Sequence, residues 1–398
     1  MSEEKVSMFA RFRMWFSSLS TVKKTALLLA VFMVLSAGAA GTTVWWYYNR
    51  ITDMDRMFPE LAWPGDSVNE GDLVDEVFGA KTLNILLMGF DRDDDRDESG
   101  YGVNPDTLMV AAISFDTGQV NLVSIPRDTL VPLTHALGGR GRINTSYYFG
   151  SARRYTGLTN PLEQHKSGIR KVIDTVSATL KGVPIHHYVA VDMQGAQEIV
   201  DTLGGIWYDV EQNIYDSHGN ILLRAGHQKL DGEKFLIYTR NRRYFYGDFR
   251  RVENQQNILI AAYEQFRESG KLLDAPNIFK SVQNHLETSL SLEQIAALSF
   301  FGAQNITKED IQTHTLPGGS YGGRVHHSQV TTRYYVIIDQ QGRADLLKEV
   351  WGLEVEPDPT DTLLPPLPRE RPDEDNGDAD NNEDTDDTQA EGDAEDAE

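Results

Sequence analysis

The chain has 398 residues, of which 40% are hydrophobic and 24% charged, so it is long enough to bury a substantial core. It contains no cysteine, which excludes disulfides, zinc–thiolate sites and a thiol nucleophile. The formal net charge is −23, but fourteen acidic and no basic residues lie between Asp373 and Glu398. The negative charge therefore belongs largely to a tail, and global charge does not predict nucleic-acid binding.

An uncharged apolar run near the N-terminus predicts one transmembrane helix over residues 26–48. A helix needs roughly 20 apolar residues to cross the bilayer core. The run ends in aromatic residues, Trp45 to Tyr48, which are typical of a membrane interface. Basic residues outnumber acidic ones before it, so we expect residues 1–25 in the cytoplasm and the rest outside. The alternative is a cleaved signal peptide with its cleavage site at Ala37 to Ala39.

Composition divides the remainder of the chain into three parts. Residues 49–80 mix polar, proline and glycine positions and are predicted to form a stalk. Residues 81–352 have the composition of a globular domain. Residues 353–398 are rich in proline and then acidic, and such a segment buries too little apolar area to offset its ordering entropy, so we predict that it is disordered.

Alternating strand and helix patterns within residues 81–352 predict an α/β fold. The predicted strands are Leu83–Gly89, Thr107–Ser114, Val120–Ile125 and His187–Asp192. The predicted helices are Lys166–Leu180, Met193–Leu203, Asp231–Arg240, Arg251–Ser269, Asp274–Leu286 and Leu292–Ala303. A short turn joins the second and third strands, which favours a mixed rather than a purely parallel central sheet.

Two aspartates at strand ends are candidate metal ligands. Asp91 follows the first predicted strand, and Asp106 precedes the second. Mg²⁺ commonly takes one or two carboxylates together with substrate phosphates, so this pair suits Mg²⁺ (or Mn²⁺). The alternative is that Asp106 caps a turn and Asp91 is solvated.

Arginines cluster at two places that are far apart in the sequence. Arg127 follows Pro126 in SIPRD, where the proline is expected to end the third strand. The later cluster comprises Arg240, Arg242, Arg243, Arg250 and Arg251. Several arginines converging on one spot could hold a pyrophosphate, because the guanidinium binds phosphate oxygens in a bidentate manner. The alternatives are a basic helix face paired with Asp248 and Glu253, or stacking of single-stranded nucleic acid on the interleaved aromatics, which the predicted topology disfavours.

These motifs, taken in order, resemble the LytR-CpsA-Psr family. The matching stretches are NILLMGFDRD, PDT, VSIPRD, GRINTSYYFG, VDMQG, LGGIWYDV, LDGEKFLIYTRNR and DFRRVENQQ. They run from about Leu83 to Leu259, roughly 45% of the chain. The resemblance implies one transmembrane helix, an extracytoplasmic domain with a mixed sheet flanked by helices, and a hydrophobic pocket for a polyprenyl chain.

The resemblance also implies roles for individual residues. Asp91 and Asp106 would hold Mg²⁺ or position phosphates. The pyrophosphate would be bound by Arg127, Arg240, Arg242 and Arg251, of which Arg127, Arg240 and Arg242, with Asp91, are the predicted catalytic residues. Gln255 would support the head group, and Arg142, the remaining predicted substrate-binding residue, stands where the family often has lysine. Asn254 departs from the family, which often has arginine there.

The function implied by the resemblance is phosphotransfer. A glycopolymer of the teichoic-acid or capsule type would move from a polyprenyl pyrophosphate carrier to peptidoglycan at the cell membrane, without nucleic acid as a partner. A non-catalytic protein that binds the lipid or the wall polymer is the alternative. A membrane-bound transcriptional attenuator is disfavoured, because only some 24 residues would be cytoplasmic.

Overall fold

The computed structural model describes residues 36, 42–43, 45–59, 82–90, 104–136, 139–241, 247–323 and 333–359, without the side chains of 247–249. Most of the predicted membrane segment, stalk and acidic tail lies outside the described residues, as do Asp91 and Arg242. Among the residues that the structure describes, no helix has both the length and the apolar character needed to span a membrane.

The described chain alternates short strands and helices. The strands are β1 (Thr82–Phe90), β2 (Pro105–Ser114), β3 (Val120–Ser124), β4 (Leu130–Pro132), β5 (Arg140–Arg142), β6 (His187–Asp192), β7 (Ile206–Val210), β8 (Ile214–Tyr215), β9 (Ile221–Leu223), β10 (Gly226–Leu230), β11 (Leu286–Thr288), β12 (Ile311–Thr315), β13 (Gly318–Gly323) and β14 (Arg333–Ile338). The α-helices are α1 (Met54–Met57), α2 (Ser146–Ser151), α3 (Arg153–Thr156), α4 (Pro161–Thr179), α5 (Met193–Thr202), α6 (Gly232–Arg240), α7 (Gly247–Glu268), α8 (Ala275–Val282), α9 (Leu292–Asn305) and α10 (Gln340–Trp351). Residues 45–52 are also helical.

Six strands form a mixed central sheet in the order β11-β6-β1-β2-β3-β12. The β1/β6 and β3/β12 pairs are parallel, whereas β1/β2, β2/β3 and β6/β11 are antiparallel. The predicted mixed sheet is therefore confirmed. Because β1, β3, β6 and β12 run in one direction, their carboxyl ends meet at one edge of the sheet. The start of β2 lies at the same edge, since Pro105 pairs with Phe90.

Helices cover both faces of this sheet, as its sequence requires. Strand β1 is a nearly continuous apolar run, which is typical of a strand buried on both faces. On one face, Leu86 and Met88 belong to a core with Val172 of α4 and Leu347 of α10. On the opposite face, Ile85 packs in a cluster with residues of α9 and of the segment that precedes the domain. The sheet is thus the middle layer of three.

One predicted helix ends earlier than expected. The apolar spacing over Asp274 to Leu286 predicts a continuous helix, but α8 ends at Val282. The next residues turn back, and Leu286 starts β11, in which it pairs with Val191 of β6. A free sheet edge offers main-chain hydrogen bonds that local spacing does not reveal. His285, just before β11, and Glu287, within it, therefore lie near the carboxyl ends of the parallel strands.

The chain does not leave the domain at residue 352. Leu353 is buried in the main core. Asp358 accepts hydrogen bonds from Lys181 and from the buried guanidinium of Arg343. The described residues after 352 therefore remain packed against α4 and α10, while the rest of the predicted disordered tail stays a prediction.

Candidate active site

An ion pair joins two strand ends at the carboxyl edge of the sheet. Asp106 lies at the start of β2, and Arg127 comes just after β3. Ile125 still donates its N–H to Leu108, but Pro126 has no N–H to donate and the chain turns there. Arg127 Nη1 consequently lies 2.6 Å from Asp106 Oδ2. This pair confirms that the sheet brings the first arginine motif to one of the predicted metal ligands.

Asp128 extends this pair into a chain of alternating charges. Its carboxylate lies 3.6 Å from Arg127 Nε and 3.1 Å from Arg142 Nη1. Arg142 also donates from Nε and Nη2 to the carbonyl oxygen of Tyr334. The guanidinium of Arg142 is therefore held at the outer end of the chain, and Asp128 joins it to Arg127. Sequence reasoning did not assign Asp128 a role, although it follows Arg127 directly in SIPRD.

Two helices supply the remaining cationic and amide groups. Arg240 is the last residue of α6, and Arg251 and Gln255 lie on one face of α7 because they are four residues apart. The Gln255 amide donates from Nε2 to the carbonyl of Thr239 at 3.0 Å and accepts from Thr107 Oγ1 at 3.4 Å. Gln255 thus connects β2, α6 and α7, which sets where both arginines project.

A cavity of about 320 Å³ opens between these groups, and we call it the arginine cavity. Asp106, Arg240, Arg251 and Gln255 line one part of it. Most of the other lining side chains are aliphatic or aromatic. Arg251 is only 3% exposed, so its charge is largely removed from water. A buried guanidinium beside a cavity favours an anionic ligand, since the interaction is screened far less there than at the surface.

A second cavity, of about 490 Å³, lies against the first, and we call it the apolar cavity. It is lined almost entirely by apolar side chains from both sides of α7 and from α8, α9 and the sheet. The two cavities share the side chains of Leu87, Val189, Ile199, Leu259 and Phe266. A cavity with cationic groups therefore adjoins an apolar one, an arrangement that suits an amphiphile with an anionic head.

The predicted site residues thus separate into three groups. Asp106, Arg240, Arg251 and Gln255 line one cavity, and Arg127 is bound to Asp106. Arg142 lies further from this cavity and forms an ion pair with Asp128, the neighbour of Arg127. Asp91 and Arg242 lie outside the described residues, and the catalytic, substrate-binding and metal-binding roles of all the site residues stay predictions.

The donor groups at the arginine cavity determine whether Mg²⁺ or Mn²⁺ could bind there. Within the described residues there is no cluster of three or more histidine, aspartate or glutamate side chains placed to hold a metal ion. Asp106 nevertheless presents a hard carboxylate in the arginine cavity. One or two carboxylates suffice for Mg²⁺ when substrate phosphates complete the shell. The residues therefore fit a metal that binds together with a phosphorylated substrate.

The fold and site define a class of protein, an α/β domain in which a cavity lined by arginines adjoins an apolar cavity. The family model of the LytR_cpsA_psr family matches residues 66–349. The chain therefore belongs to this family, which confirms the resemblance found in its motifs.

Relatives and solved structures agree with this assignment. The chain is 26% identical to the polyisoprenyl-teichoic acid–peptidoglycan teichoic acid transferase TagU of Bacillus subtilis, over 82% of this chain and 96% of the relative. It is 28% identical to the TagU of Enterococcus faecalis, over 72% and 86%. Its fold is similar to that of B. subtilis TagV, with a TM-score of 0.53, 23% identity and coverage of 69% and 99%. TagT bound to LIIa-WTA is similar with a TM-score of 0.52, 19% identity and coverage of 72% and 95%.

Proposed function

We propose that this chain is a phosphotransferase that moves a phosphate-linked glycopolymer of the teichoic-acid class from a polyprenyl pyrophosphate carrier to peptidoglycan. The observation that carries the proposal is the junction between the arginine cavity and the apolar cavity. The names of the TagU relatives, which state a polyisoprenyl-linked teichoic acid and a peptidoglycan acceptor, support the same donor and acceptor.

The apolar cavity is suited to the polyprenyl chain. Its lining offers almost no hydrogen-bonding groups, so it favours a ligand without polar atoms. Burying isoprenoid carbon there stabilises the complex by roughly 25 cal/mol for each Å² removed from water. The pyrophosphate of the same molecule would then lie among the guanidinium groups of the arginine cavity.

The arginines act on the charge that changes during transfer. A hydroxyl of the acceptor attacks the phosphorus that carries the sugar, a new P–O bond forms, and the bond to the bridging oxygen breaks. Polyprenyl phosphate leaves, and a phosphodiester joins polymer and acceptor. Arg127, Arg240 and Arg251 would stabilise the charge that grows on the transferred and leaving phosphates, usually the largest contribution in such chemistry.

A divalent cation is part of this proposal. Asp106, together with Asp91, would hold Mg²⁺ or Mn²⁺ beside the pyrophosphate. When bound, the ion would share the neutralisation of phosphate charge with the arginines. The ion pair with Arg127 holds the Asp106 carboxylate in place at this site.

The proposed location is the outer side of the cell membrane. Residues 26–48 would form a single membrane-spanning helix with its N-terminus in the cytoplasm, which places the catalytic domain next to lipid-linked donors and the wall. The exposed aromatic side chains of Trp45 and Trp46 fit the outer interface of that membrane.

The test compares wild type with Arg127→Ala. The full chain in detergent is supplied with a synthetic polyprenyl-pyrophosphate-linked teichoic-acid donor, Mg²⁺ and uncross-linked peptidoglycan. The rate at which polymer becomes attached to peptidoglycan is measured. We expect transfer in wild type and a loss of about a hundredfold or more in Arg127→Ala, because one charge-stabilising group is typically worth 10²–10³. The matched control is Arg170→Ala, an exposed arginine on α4, which should transfer at the wild-type rate.

Two outcomes contradict the proposal. Binding of the donor without any turnover in wild type would instead indicate a non-catalytic lipid-binding protein. Equal losses in Arg127→Ala and Arg170→Ala would mean that the sheet edge does not contain the reacting phosphates.

A further inference from the structure

A separate polar recess of about 210 Å³ lies next to the arginine cavity. The two spaces share Phe90, Val191 and Asp192, so they meet at the carboxyl ends of β1 and β6. The polar side chains that line the recess are His165, Asp192, Gln283, Asn284, His285 and Glu287. This lining of imidazoles, amides and carboxylates contrasts with the apolar cavity and offers many hydrogen bonds to a ligand that carries hydroxyl groups.

One wall of the recess is a fixed chain of hydrogen bonds. His165 contacts Tyr147 Oη through Nδ1 and Glu287 Oε2 through Nε2, both at 2.6 Å. Tyr188 donates to the other oxygen of Glu287, also at 2.6 Å. Burial, followed by the hydrogen bond to Glu287, raises the pKa of Tyr188, which keeps its phenol protonated as a donor. Contacts at both nitrogens hold the His165 ring in one orientation within this wall.

The opposite wall holds an imidazole in a single orientation. His285 Nδ1 lies 3.0 Å from Asp192 Oδ2, and the other carboxylate oxygen of Asp192 accepts the N–H of Gly195 at the start of α5. The main chain ties the same residues together, since Asp192 donates its N–H to the carbonyl of His285. A Cβ on Gly195 would lie 2.7 Å from that carbonyl oxygen, so glycine permits this close approach.

This arrangement resembles the geometry of a general base. The carboxylate of Asp192 accepts a hydrogen bond from Nδ1–H, and in that tautomer the basic lone pair of an imidazole lies on Nε2. A base that is oriented by a third group is the usual way to activate a hydroxyl nucleophile. His285 lines the recess, and its partner Asp192 lines both the recess and the arginine cavity.

Building on the proposed function, we propose that the polar recess binds the hydroxyl-bearing saccharide of the acceptor and that His285 is the general base. His285 Nε2 accepts the proton of the attacking hydroxyl as its oxygen bonds to the sugar-linked phosphorus. The bridging P–O bond breaks, and its electron pair leaves with polyprenyl phosphate. The ring returns its proton to solvent before the next cycle.

The charges favour the acceptor over the donor phosphates in this recess. Asp192 and Glu287 would repel a pyrophosphate, whereas carboxylates accept hydrogen bonds from sugar hydroxyls. The arginines of the neighbouring cavity attract the pyrophosphate away from them. The two substrates would therefore bind on either side of Asp192.

The first test is His285→Gln, which keeps a hydrogen-bonding side chain beside Asp192 but removes the basic nitrogen. In the donor and peptidoglycan assay described above, we expect kcat to fall about 10²- to 10⁴-fold, the usual contribution of a general base. Donor binding and the melting temperature should match wild type. His218→Gln, an exposed histidine in the β8–β9 turn, is the matched control and should transfer normally.

The second test is Asn284→Trp, which places a bulky ring in the recess from an exposed position. We expect a rise of at least tenfold in KM for the peptidoglycan strands and little change in KM for the lipid-linked donor. This variant leaves Asp192 and His285 in place, so it tests the recess even if His285→Gln fails to fold.

Three results would overturn the inference. Normal kcat in His285→Gln would exclude the base, and a raised donor KM in Asn284→Trp would assign the recess to the donor. An unchanged acceptor KM in Asn284→Trp would mean that the recess is not used. Each result requires that wild type transfers polymer, so a failure of the proposed function is recognised separately, by wild type that does not.

Discussion

Single residues at the sheet edge illustrate how much of the site depends on pairing. The ion pairs of Arg127 with Asp106 and of Asp128 with Arg142 connect residues from three separate chain segments. Removing one member leaves its partner partly buried and uncompensated, which usually costs more than the pair contributes. The charges along this edge therefore depend on one another, and a change such as Arg127→Lys alters the geometry of the pair even though it retains the charge.

Asn254 and Gln256 are neighbours on α7 with opposite expected effects on stability. Asn254 is fully buried, and its amide has no hydrogen-bond partner among the described residues. Gln256 Nε2 instead donates to Leu122 O, Ser124 Oγ and His314 O. An unpaired buried amide costs roughly 1–3 kcal/mol. We expect Asn254→Leu to raise the free energy of unfolding by about 1 kcal/mol and Gln256→Leu to lower it by about 2 kcal/mol.

Thermal unfolding of the two variants, each compared with wild type in the same detergent, measures this difference. A similar loss of stability in both variants would show that the Asn254 amide is satisfied in the folded protein.

At the scale of elements, close helix contacts position the recess. Helices α2 and α4 pack through Gly168, above which lies the ring of Tyr147. Tyr147 in turn holds His165, and Phe90 at the end of β1 packs edge-on against the Tyr147 ring at 5.1 Å. The helix pair therefore determines where one wall of the polar recess stands.

We expect Gly168→Ala to destabilise the protein although alanine is the better helix former. A Cβ at this position would lie 2.7 Å from the Tyr147 ring. Overpacking costs about 1–3 kcal/mol, which outweighs the gain of up to about 1 kcal/mol in helix propensity. The measurement is the melting temperature, and Asp174→Ala, at an exposed position of α4, should not lower it. A stabilised Gly168→Ala would mean that the two helices separate at no cost.

The segment that follows α10 is expected to respond to acid through Asp358. Hydrogen bonds from Lys181 and then from Arg343 lower the pKa of this carboxyl below its usual range. A carboxyl with a lowered folded-state pKa stabilises the fold above its unfolded pKa and loses that contribution as pH falls. We expect Asp358→Asn to cost about 1 kcal/mol at pH 7, with the difference from wild type shrinking below about pH 4.

Melting curves between pH 3 and pH 7 would test this expectation. Glu354→Gln is the control, because Glu354 is 76% exposed and pairs only with the exposed Lys348 among the described residues. A difference that stays constant down to pH 3 would contradict an ionic role for Asp358.

At the scale of the whole molecule, the two cavities share one wall. Strands β1 and β6 and helices α5 and α7 contribute the shared wall. The anionic head group and the apolar chain of one ligand would therefore be held by different parts of the fold. Affinity for a long prenyl chain would depend on the apolar cavity, whereas chemistry would depend on the arginine cavity.

Leu259→Trp tests this division, because Leu259 lines both cavities. A tryptophan there should block the passage between them. We expect the KM for a long-chain polyprenyl donor to rise at least tenfold, whereas a short-chain donor that reaches only the arginine cavity should be affected little. Equal effects on both donors would show that the prenyl chain binds elsewhere.

The sequence by itself determined the strands of the sheet core, the mixed character of the sheet and the family. These follow from local patterns, since a buried strand needs an apolar run and the proline of SIPRD, which has no N–H to donate, follows the end of β3. Asp106 and Arg127 could be predicted to lie near each other because each adjoins a strand of one antiparallel pair. The predicted roles of Asp91 and Arg242 stay predictions, because both residues lie outside the described chain.

Only the tertiary structure decided the rest. Asp128 bridges two arginines, and β11 brings His285 to Asp192 across 93 residues of sequence. The two apolar-lined cavities arise from gaps between α5, α7, α8, α9 and the sheet. None of these features has a local signature in the sequence. A cavity or a long-range ion pair depends on which elements pack together. That packing is determined by the order of the strands in the sheet rather than by the residues that flank each motif in the sequence.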